Sequence, residues 1–448
     1  MRSYLLRQLR FCSVVGLSVM VSACGGNGLV DGETTLADGS APLPPPPTNT
    51  SPTVPASGNQ GGPTTNPQDG LDDQETINPD EEETNAAYNC VRSIDVNYYD
   101  EPVNIPASQS PPGGLAVEDT PLFVAFGFDD NIAADGMKNI TDTFQAQGVT
   151  ATFFHSTTYL NTQTQPEWMR AVSAGYEVAN HTDTHNTSTS TTSASWSNEI
   201  STCYQKLSAA SPSGLGATAI FGFRAPFLAY NNELYGVLAQ QMYWYDSSIE
   251  GGYDPAIDGT NHYYPYTLDS AGPDLTYLRG AGFTKTDFDF TARPGLMELA
   301  ITSLIIPPDD VANEYGFEPA SAPNTWPNLK SFRERVKDKF PGQKGTDYER
   351  TGYKVPGLDW NLLFDAQVTP SEFLAVLKYN FDLHRQGNRA PFLFGGHSNY
   401  YPNAAPGPDR LQALNDFITY VKQFPEVRVV SYKEVFDFMR EPKALSCY

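Results

Sequence analysis

The feature that most restricts the fold of this chain is the repeated alternation of short apolar runs with stretches of helical periodicity. The apolar runs have the length and composition of buried strands and fall at residues 122–128, 151–154, 176–179, 219–223, 244–247, 392–394 and 427–430. The helical stretches cover residues 136–147, 167–174, 195–209, 233–241, 371–386 and 409–424. This alternation predicts an α/β fold built on a parallel sheet. With about seven strands we predict a distorted (β/α) barrel, although a doubly wound open sheet would produce a similar pattern.

The region between residues 251 and 363 breaks this alternation. It is rich in Gly, Pro, Tyr and Asp. Long connections in a compact domain commonly carry binding residues, so we expect loops here that shape a site.

The first residues have the character of an export signal. Residues 1–23 carry three arginines, no acidic residue, and an apolar run over 14–21 that is too short to span a bilayer. The segment Val21-Ser-Ala-Cys24 resembles the end of a bacterial lipoprotein signal, in which the cysteine becomes the lipidated N-terminus. We therefore predict a lipid anchor at Cys24 and a place in the bacterial cell envelope, at the outer membrane or cell surface. An ordinary signal peptide with an incidental cysteine is the alternative.

Residues 24–87 form a low-complexity segment rich in Pro, Thr and Asn, with an acidic run at 80–83. Such a composition offers almost no apolar side chains for a core, so we predict a disordered tether. The folded domain is then expected to cover residues 88–448.

The chain is strongly acidic, which limits its partners. Its formal net charge is −24, and removal of residues 1–23 leaves 25 basic against 52 acidic residues. Such a chain is repelled by the phosphates of nucleic acid, so we expect no nucleic-acid partner. We expect a monomer.

Three cysteines remain for the folded domain once Cys12 is removed with the signal and Cys24 is lipidated. Export places them where disulfides persist. We predict a bridge between Cys90 and Cys447 that joins the two ends of the domain and leaves Cys203 unpaired; the sequence also allows other pairings.

Polar clusters directly follow four of the predicted strands. They are Asp129-Asp130, the stretch 180–185 with His181 and His185, Arg224-Ala-Pro-Phe227, and Gly395-Gly-His397. The carboxyl ends of parallel strands meet at one edge, where ligands bind in α/β folds. The sequence therefore predicts two acids, three histidines and an arginine at one rim.

His181 and His185 are four residues apart, a spacing that places both rings on one side of a helical turn. With one carboxylate they form a metal site with open positions. We predict Asp130 as the third ligand and Asp129 as a free proton acceptor. Solvent-exposed loop histidines are the alternative.

The remaining rim residues suggest supporting roles. Arg224 cannot act as a base, so we expect it to orient Asp129 through a charge-assisted hydrogen bond; a surface ion pair is the alternative. Pro226 stiffens its turn and leaves the Phe227 N–H as a candidate donor to an oxyanion. His397 is the natural proton donor because its unperturbed pKa lies near neutrality.

These residues, in this order, resemble the polysaccharide deacetylases of carbohydrate esterase family 4. The resemblance extends over roughly residues 122–439 and is closest to the chitin deacetylase-like branch, through residues 222–228, 245–249, 380–384 and 388–391. It implies a hydrolase that removes N-acetyl groups, or less favourably O-acetyl groups, from an extracellular or cell-wall polysaccharide such as a chitin-like glycan.

The resemblance also implies a role for each site residue. Asp130, His181 and His185 would hold a divalent metal, with Zn²⁺ expected first and Co²⁺ or another divalent ion as an alternative. Asp129 would be the base that activates water, oriented by Arg224. Phe227 would contribute its backbone N–H, and His397 would protonate the leaving amine.

Three positions depart from the family pattern. Gly127 stands where a hydroxyl residue is usual, Gly395-Gly396 where a Leu-x pair is usual, and Met297 near an expected Trp. They keep open the alternative of a catalytically weak, glycan-binding relative. A non-haem iron oxygenase would also use two histidines and one acid, but it does not account for Asp129 or Arg224. The sequence assigns no role to Asp246 or Asp359.

Overall fold

The computed structural model describes residues 102–275, 290–316, 331–339, 348–349 and 351–448. The predicted signal, the tether, Cys24 and Cys90 lie outside the described residues. Cys447 is disulfide-bonded, whereas Cys203 is free and buried, as predicted. The Cys90–Cys447 pairing stays a prediction. None of the helices in the described part of the chain has the length and apolar character needed to cross a membrane.

Within the described residues, nine strands form one sheet with the order β12-β1-β2-β3-β4-β5-β8-β7, and β13 pairs with β1. All pairings are parallel except that of β7 with β8. The predicted α/β fold with a parallel-rich, curled sheet is confirmed. The strands of this sheet are β1 (Leu122–Asp130), β2 (Thr152–His155), β3 (Glu177–Asn180), β4 (Gly222–Phe223), β5 (Tyr245–Asp246), β7 (Tyr266–Thr267), β8 (Met297–Glu298), β12 (Phe392–His397) and β13 (Val427–Val430).

The helices largely follow the stretches predicted from periodicity. They are α1 (Ala134–Gln147), α2 (Gln165–Ser173), α3 (Ser193–Ser208), α4 (Asn232–Gln240), α5 (Asp309–Glu314), α6 (Phe332–Lys339), α7 (Pro370–Gln386), α8 (Gly407–Val421) and α9 (Tyr432–Arg440). The sequence prediction missed α5 and α6, in the region that it assigned to loops, and it missed α9. The N-terminal signal of α9 is a capping box, in which Ser431 and Glu434 satisfy each other's backbone N–H groups.

Strand β1 is the centre of the sheet. Its first eight residues are buried, as expected for a strand covered on both faces. Parallel register places Asp129 beside His397 of β12 and Asp130 beside His155 of β2. The polar ends of β1 and β12 therefore emerge at the same edge.

The region predicted as long loops contains short elements of its own. Strand β6 (Glu250–Gly251) pairs in parallel with β9 (Ile301–Thr302), and β10 (Leu304–Ile305) pairs antiparallel with β11 (Lys354–Val355). Elements of two residues are too short to give a periodic signal in the sequence.

The separate β6–β9 pair contacts the main sheet where β9 meets β12. The contact there is made by a side chain, since the Leu393 N–H donates to the Thr302 hydroxyl at 3.0 Å. Both groups are buried. The Thr302 hydroxyl therefore accepts the hydrogen bond that a backbone carbonyl would accept between two paired strands.

We expect Thr302→Val to lower the free energy of unfolding by about 1–3 kcal/mol, because it leaves the buried Leu393 N–H without its acceptor at nearly constant side-chain volume. Urea denaturation measures the loss. Thr302→Ser is the matched control, since it retains the hydroxyl. An equal loss in the two variants would contradict the hydrogen-bonding role.

Candidate metal centre and active site

Asp130, His181 and His185 lie together at the rim of the sheet, with their ligand atoms all within 4.8 Å of one another. The Asp130 Oδ1 atom is 3.0 Å from His185 Nε2 and 3.5 Å from His181 Nε2. The structure therefore brings together the three residues predicted to bind a metal.

The orientation of His181 is set from behind the ring. Its Nδ1 atom lies 2.7 Å from the Arg224 backbone carbonyl, which fixes Nδ1 as the protonated nitrogen and turns Nε2 toward Asp130. Burial lowers the pKa of His181 to about 4, so this imidazole is neutral at neutral pH. A neutral ring with its lone pair turned toward a carboxylate is suited to bind a metal.

The surroundings of the Asp130 carboxylate show whether a cation would fit this cluster. Its Oδ1 atom is buried and receives no well-directed hydrogen bond within the described residues. Burial opposes ionisation, but His185 and His181 outweigh it and hold the pKa of this carboxyl below its ordinary value. An ionised, orphaned oxygen between two imidazoles fits a divalent cation of the zinc type.

Several residues of the rim have a left-handed backbone conformation that is unfavourable for non-glycine residues. Asp130, His185 and Phe227 have φ values of 63°, 59° and 58°. Asn131 follows Asp130 with φ 58°, and its amide donates to the Phe128 carbonyl at 3.0 Å. Such strain persists only where neighbouring contacts impose it, and it is common at functional sites.

Asp129 lies next to the cluster in a buried ion pair. The Arg224 Nη1 atom is 2.6 Å from Asp129 Oδ1, and neither residue is more than 3 % exposed. The guanidinium also donates to the Ser247 backbone carbonyl and hydroxyl, both at 3.0 Å. The predicted contact between Arg224 and Asp129 is therefore present in the structure as a buried pair.

His397 is held by an acid that the sequence did not assign. Its Nδ1 atom lies 2.6 Å from Asp359 Oδ1, and its backbone N–H donates to Asp359 Oδ2 at 2.8 Å. Burial acts against protonation of His397, but the charge and hydrogen bond of Asp359 raise its pKa to about 9. The imidazole is therefore protonated at neutral pH.

The two glycines before His397 explain how Asp359 reaches it. The Gly395 N–H donates to the Gly357 carbonyl at 2.8 Å, and Leu358 forms a bridge with Gly395. A side chain on Gly395 would overlap Leu358, and one on Gly396 would lie 2.8 Å from the Phe128 ring. The departure from the family pattern thus makes room for the segment that carries Asp359.

The other noted positions have different surroundings. Phe227 is 40 % exposed, and its ring meets His185 edge-on with centroids 4.6 Å apart. The role of its backbone N–H as an oxyanion donor stays a prediction. Met297 is buried in a core cluster with Tyr245 and Leu299, so this departure belongs to the packing of the sheet.

Comparison with known proteins gives the following matches. A family model described as polysaccharide deacetylase matches residues 117–245. Chitin deacetylase 8 of Bombyx mori is 26 % identical over 353 residues, which cover 76 % of this chain and 76 % of that protein. Chitin deacetylase 1 of Bombyx mori is 22 % identical over 348 residues, which cover 75 % of this chain and 54 % of that protein.

Among solved structures, a candidate polysaccharide deacetylase from Mycobacterium smegmatis is similar with a TM-score of 0.46 and 15 % identity, over 75 % of this chain and 95 % of that chain. The sequence matches support the predicted enzyme class, a deacetylase hydrolase.

We expect Asp359→Asn to bring the pKa of His397 down from about 9 toward the ordinary histidine value of about 6.5. The NMR shift of the His397 ring, followed against pH in metal-free protein, measures this change. Because the raised pKa favours the folded state while His397 is protonated, the unmodified protein should lose this stabilisation as the pH rises through about 9. Asp409→Asn, at an exposed position on α8, is the control. An unchanged titration in Asp359→Asn would contradict the pairing.

We expect calorimetric titration with Zn²⁺ to show one ion bound per chain. His185→Ala should weaken binding by at least about a hundredfold, since removal of a ligand costs more than removal of a residue behind it. Asp183→Asn is the matched control because Asp183 lies between the two histidines but bonds Thr157 and Lys206. Equal affinities for the two variants would count against this cluster as the metal site.

Proposed function

Because residues 117–245 match a polysaccharide deacetylase family model, we propose that the chain is a metal-dependent hydrolase that removes N-acetyl groups from an extracellular or cell-wall polysaccharide. The substrate class is a chitin-like or other N-acetylglucosamine-containing glycan, and O-acetyl groups are the less favoured alternative. One observation carries the proposal. A buried Asp129–Arg224 pair and a protonated His397 flank a cluster of two histidines and one acid.

The reaction needs help at two points, since an amide carbonyl is a poor electrophile and its amine is a poor leaving group. When bound by Asp130, His181 and His185, a divalent cation supplies Lewis acidity for the first. Zn²⁺ is the ion we expect, with Co²⁺ as an alternative. The second requires a proton at the leaving nitrogen.

Asp129 is the proposed base and accepts the proton of the attacking water. Arg224 orients this carboxylate, because the guanidinium lies 2.6 Å from Oδ1 in a buried setting. A base that needs no rearrangement before the reaction lowers its barrier.

His397 is the proposed acid, and it donates a proton to the leaving amine. Asp359 fixes the ring through Nδ1, so the donating atom is Nε2. With a pKa of about 9 this histidine carries its proton at neutral pH. The Phe227 N–H is the proposed donor to the carbonyl oxygen as it gains negative charge.

We also propose how the enzyme reaches its substrate. Residues 1–23 are the export signal, Cys24 carries the lipid, and residues 24–87 are the tether of a catalytic domain over residues 88–448. A Cys90–Cys447 bridge would close that domain. An anchored and tethered enzyme can sample a layer of polymer near the membrane.

The test is acetate release from chitin oligomers, peptidoglycan and an acetylated exopolysaccharide. We expect release from at least one polymer, loss with EDTA, and recovery with Zn²⁺ or Co²⁺. Asp129→Asn should lower kcat by about a hundredfold to ten-thousandfold, the usual contribution of general base catalysis, while Zn²⁺ binding persists.

Asp142→Asn is the matched control, because Asp142 is exposed and pairs with Lys138 and Arg170 on the surface. Retained glycan binding without acetate release from any of the three polymers would overturn the proposed hydrolase and favour the glycan-binding alternative. Activity that depends on iron and dioxygen would favour the oxygenase.

A further inference from the structure

Arg224 is also held by a residue of α9, which lies outside the motifs that carry the family resemblance. Tyr432, the first residue of α9, is fully buried, and its hydroxyl lies 2.9 Å from Arg224 Nη2. Its ring also covers the guanidinium, with the central carbon of Arg224 5.2 Å from the ring centroid. Tyr432 therefore touches Arg224 through both its polar and its aromatic part.

Each nitrogen of the guanidinium donates at least one hydrogen bond, which leaves the group little freedom to rotate. The Nε atom donates to the Ser247 carbonyl, Nη1 to Asp129, and Nη2 to both the Ser247 hydroxyl and Tyr432. One aromatic face is supplied by Phe154, whose ring centroid is 4.1 Å from the central carbon of Arg224. Because the guanidinium is planar, the bonds of Nε and Nη2 together set the direction in which Nη1 points.

Tyr432 is itself firmly placed. Its backbone N–H donates to the Thr152 hydroxyl at 2.9 Å, and its ring meets Phe154 edge-on with centroids 5.4 Å apart. The capping box formed by Ser431 and Glu434 fixes the first turn of α9. The hydroxyl of Tyr432 is therefore presented to Arg224 by a rigid helix start.

Gly127 supplies the space that this arrangement needs. A Cβ atom there would lie 2.7 Å from the Phe154 ring, 3.0 Å from the Tyr432 ring and 3.1 Å from Arg224 Nη1. Contacts this close force a neighbour to move. A side chain at position 127 would therefore displace the Phe154 ring and press Tyr432 and Arg224 away from their present positions.

We propose that Tyr432 is a positioning residue for the base, and that Gly127 is its structural counterpart. The Tyr432 hydroxyl holds Nη2 of Arg224, which turns Nη1 toward Asp129, while the missing side chain at Gly127 admits the Tyr432 ring. This inference rests on the proposed deacetylase function.

The test is a double-mutant cycle on acetate release. Tyr432→Phe should lower kcat about tenfold, the typical effect of a lost hydrogen bond to a charged group, while KM changes less than about twofold. In an Arg224→Ala background the same substitution should have almost no further effect on kcat, because the group through which Tyr432 acts is gone. Zn²⁺ affinity should be unchanged by Tyr432→Phe.

Tyr245→Phe is the matched control. Tyr245 stacks against Tyr432 in the same cluster, but its hydroxyl donates to Glu177 at 2.7 Å. It should leave kcat near that of the unmodified enzyme. A loss of kcat equal to that of Tyr432→Phe, or an equal effect of Tyr432→Phe in both backgrounds, would show a general packing role and overturn the inference.

Gly127→Ala provides a second entry into the same cycle if Tyr432→Phe does not fold. It should lower kcat through displacement of the guanidinium, and the Arg224→Ala background should again remove most of that effect. If the unmodified chain releases acetate and both substitutions leave kcat unchanged, the inference alone fails. If the unmodified chain releases no acetate from any polymer, the proposed function fails and the inference falls with it.

Discussion

The buried ion pair between Arg224 and Asp129 is the contact on which the geometry of this site depends. Removal of two charges from water costs several kcal/mol per ion, so such a pair requires close partners on all sides. The side chain of Arg224 pairs with Asp129. Its backbone carbonyl has a second role, because it accepts a hydrogen bond from His181 Nδ1–H at 2.7 Å. One residue after β4 therefore fixes both the proposed base and a proposed metal ligand. The two halves of the chemistry, proton removal and cation binding, share a single support.

The location of the site could be predicted from the sequence because it follows from topology. Apolar runs end in polar clusters, and parallel strands bring those ends to one edge. The register of β1 with β12 and β2 then places Asp129 and Asp130 beside residues far away in the chain. The arrangement needed only the strand pattern and the positions of Asp, His and Arg. Loop composition predicted an irregular region, but not its short paired strands.

The residues that position the site could not be predicted, because their roles depend on contacts between segments that are distant in the sequence. Nothing local marks Asp359 as the partner of His397, and the bond exists because Leu358 runs beside Gly395. Compared with the family pattern, Gly127 and Gly395 each lack a side chain. In the folded chain each leaves a volume that a distant side chain fills. A departure at one position can be judged only with its spatial neighbour, which a single sequence does not reveal.

The pairing of Asp129 with His397 has a consequence for how such an enzyme can vary. These residues sit opposite each other on adjacent strands, and neighbouring strands lie about 4.8 Å apart in any sheet. The separation of the proposed base, Asp129, from the proposed acid, His397, is therefore a property of the ladder. The segments between β5 and β11 contribute none of the strands that carry Asp129, Asp130 or His397. Exchange confined to those segments leaves the β1–β12 ladder in place, provided that Ser247, which lies among them, still holds Arg224.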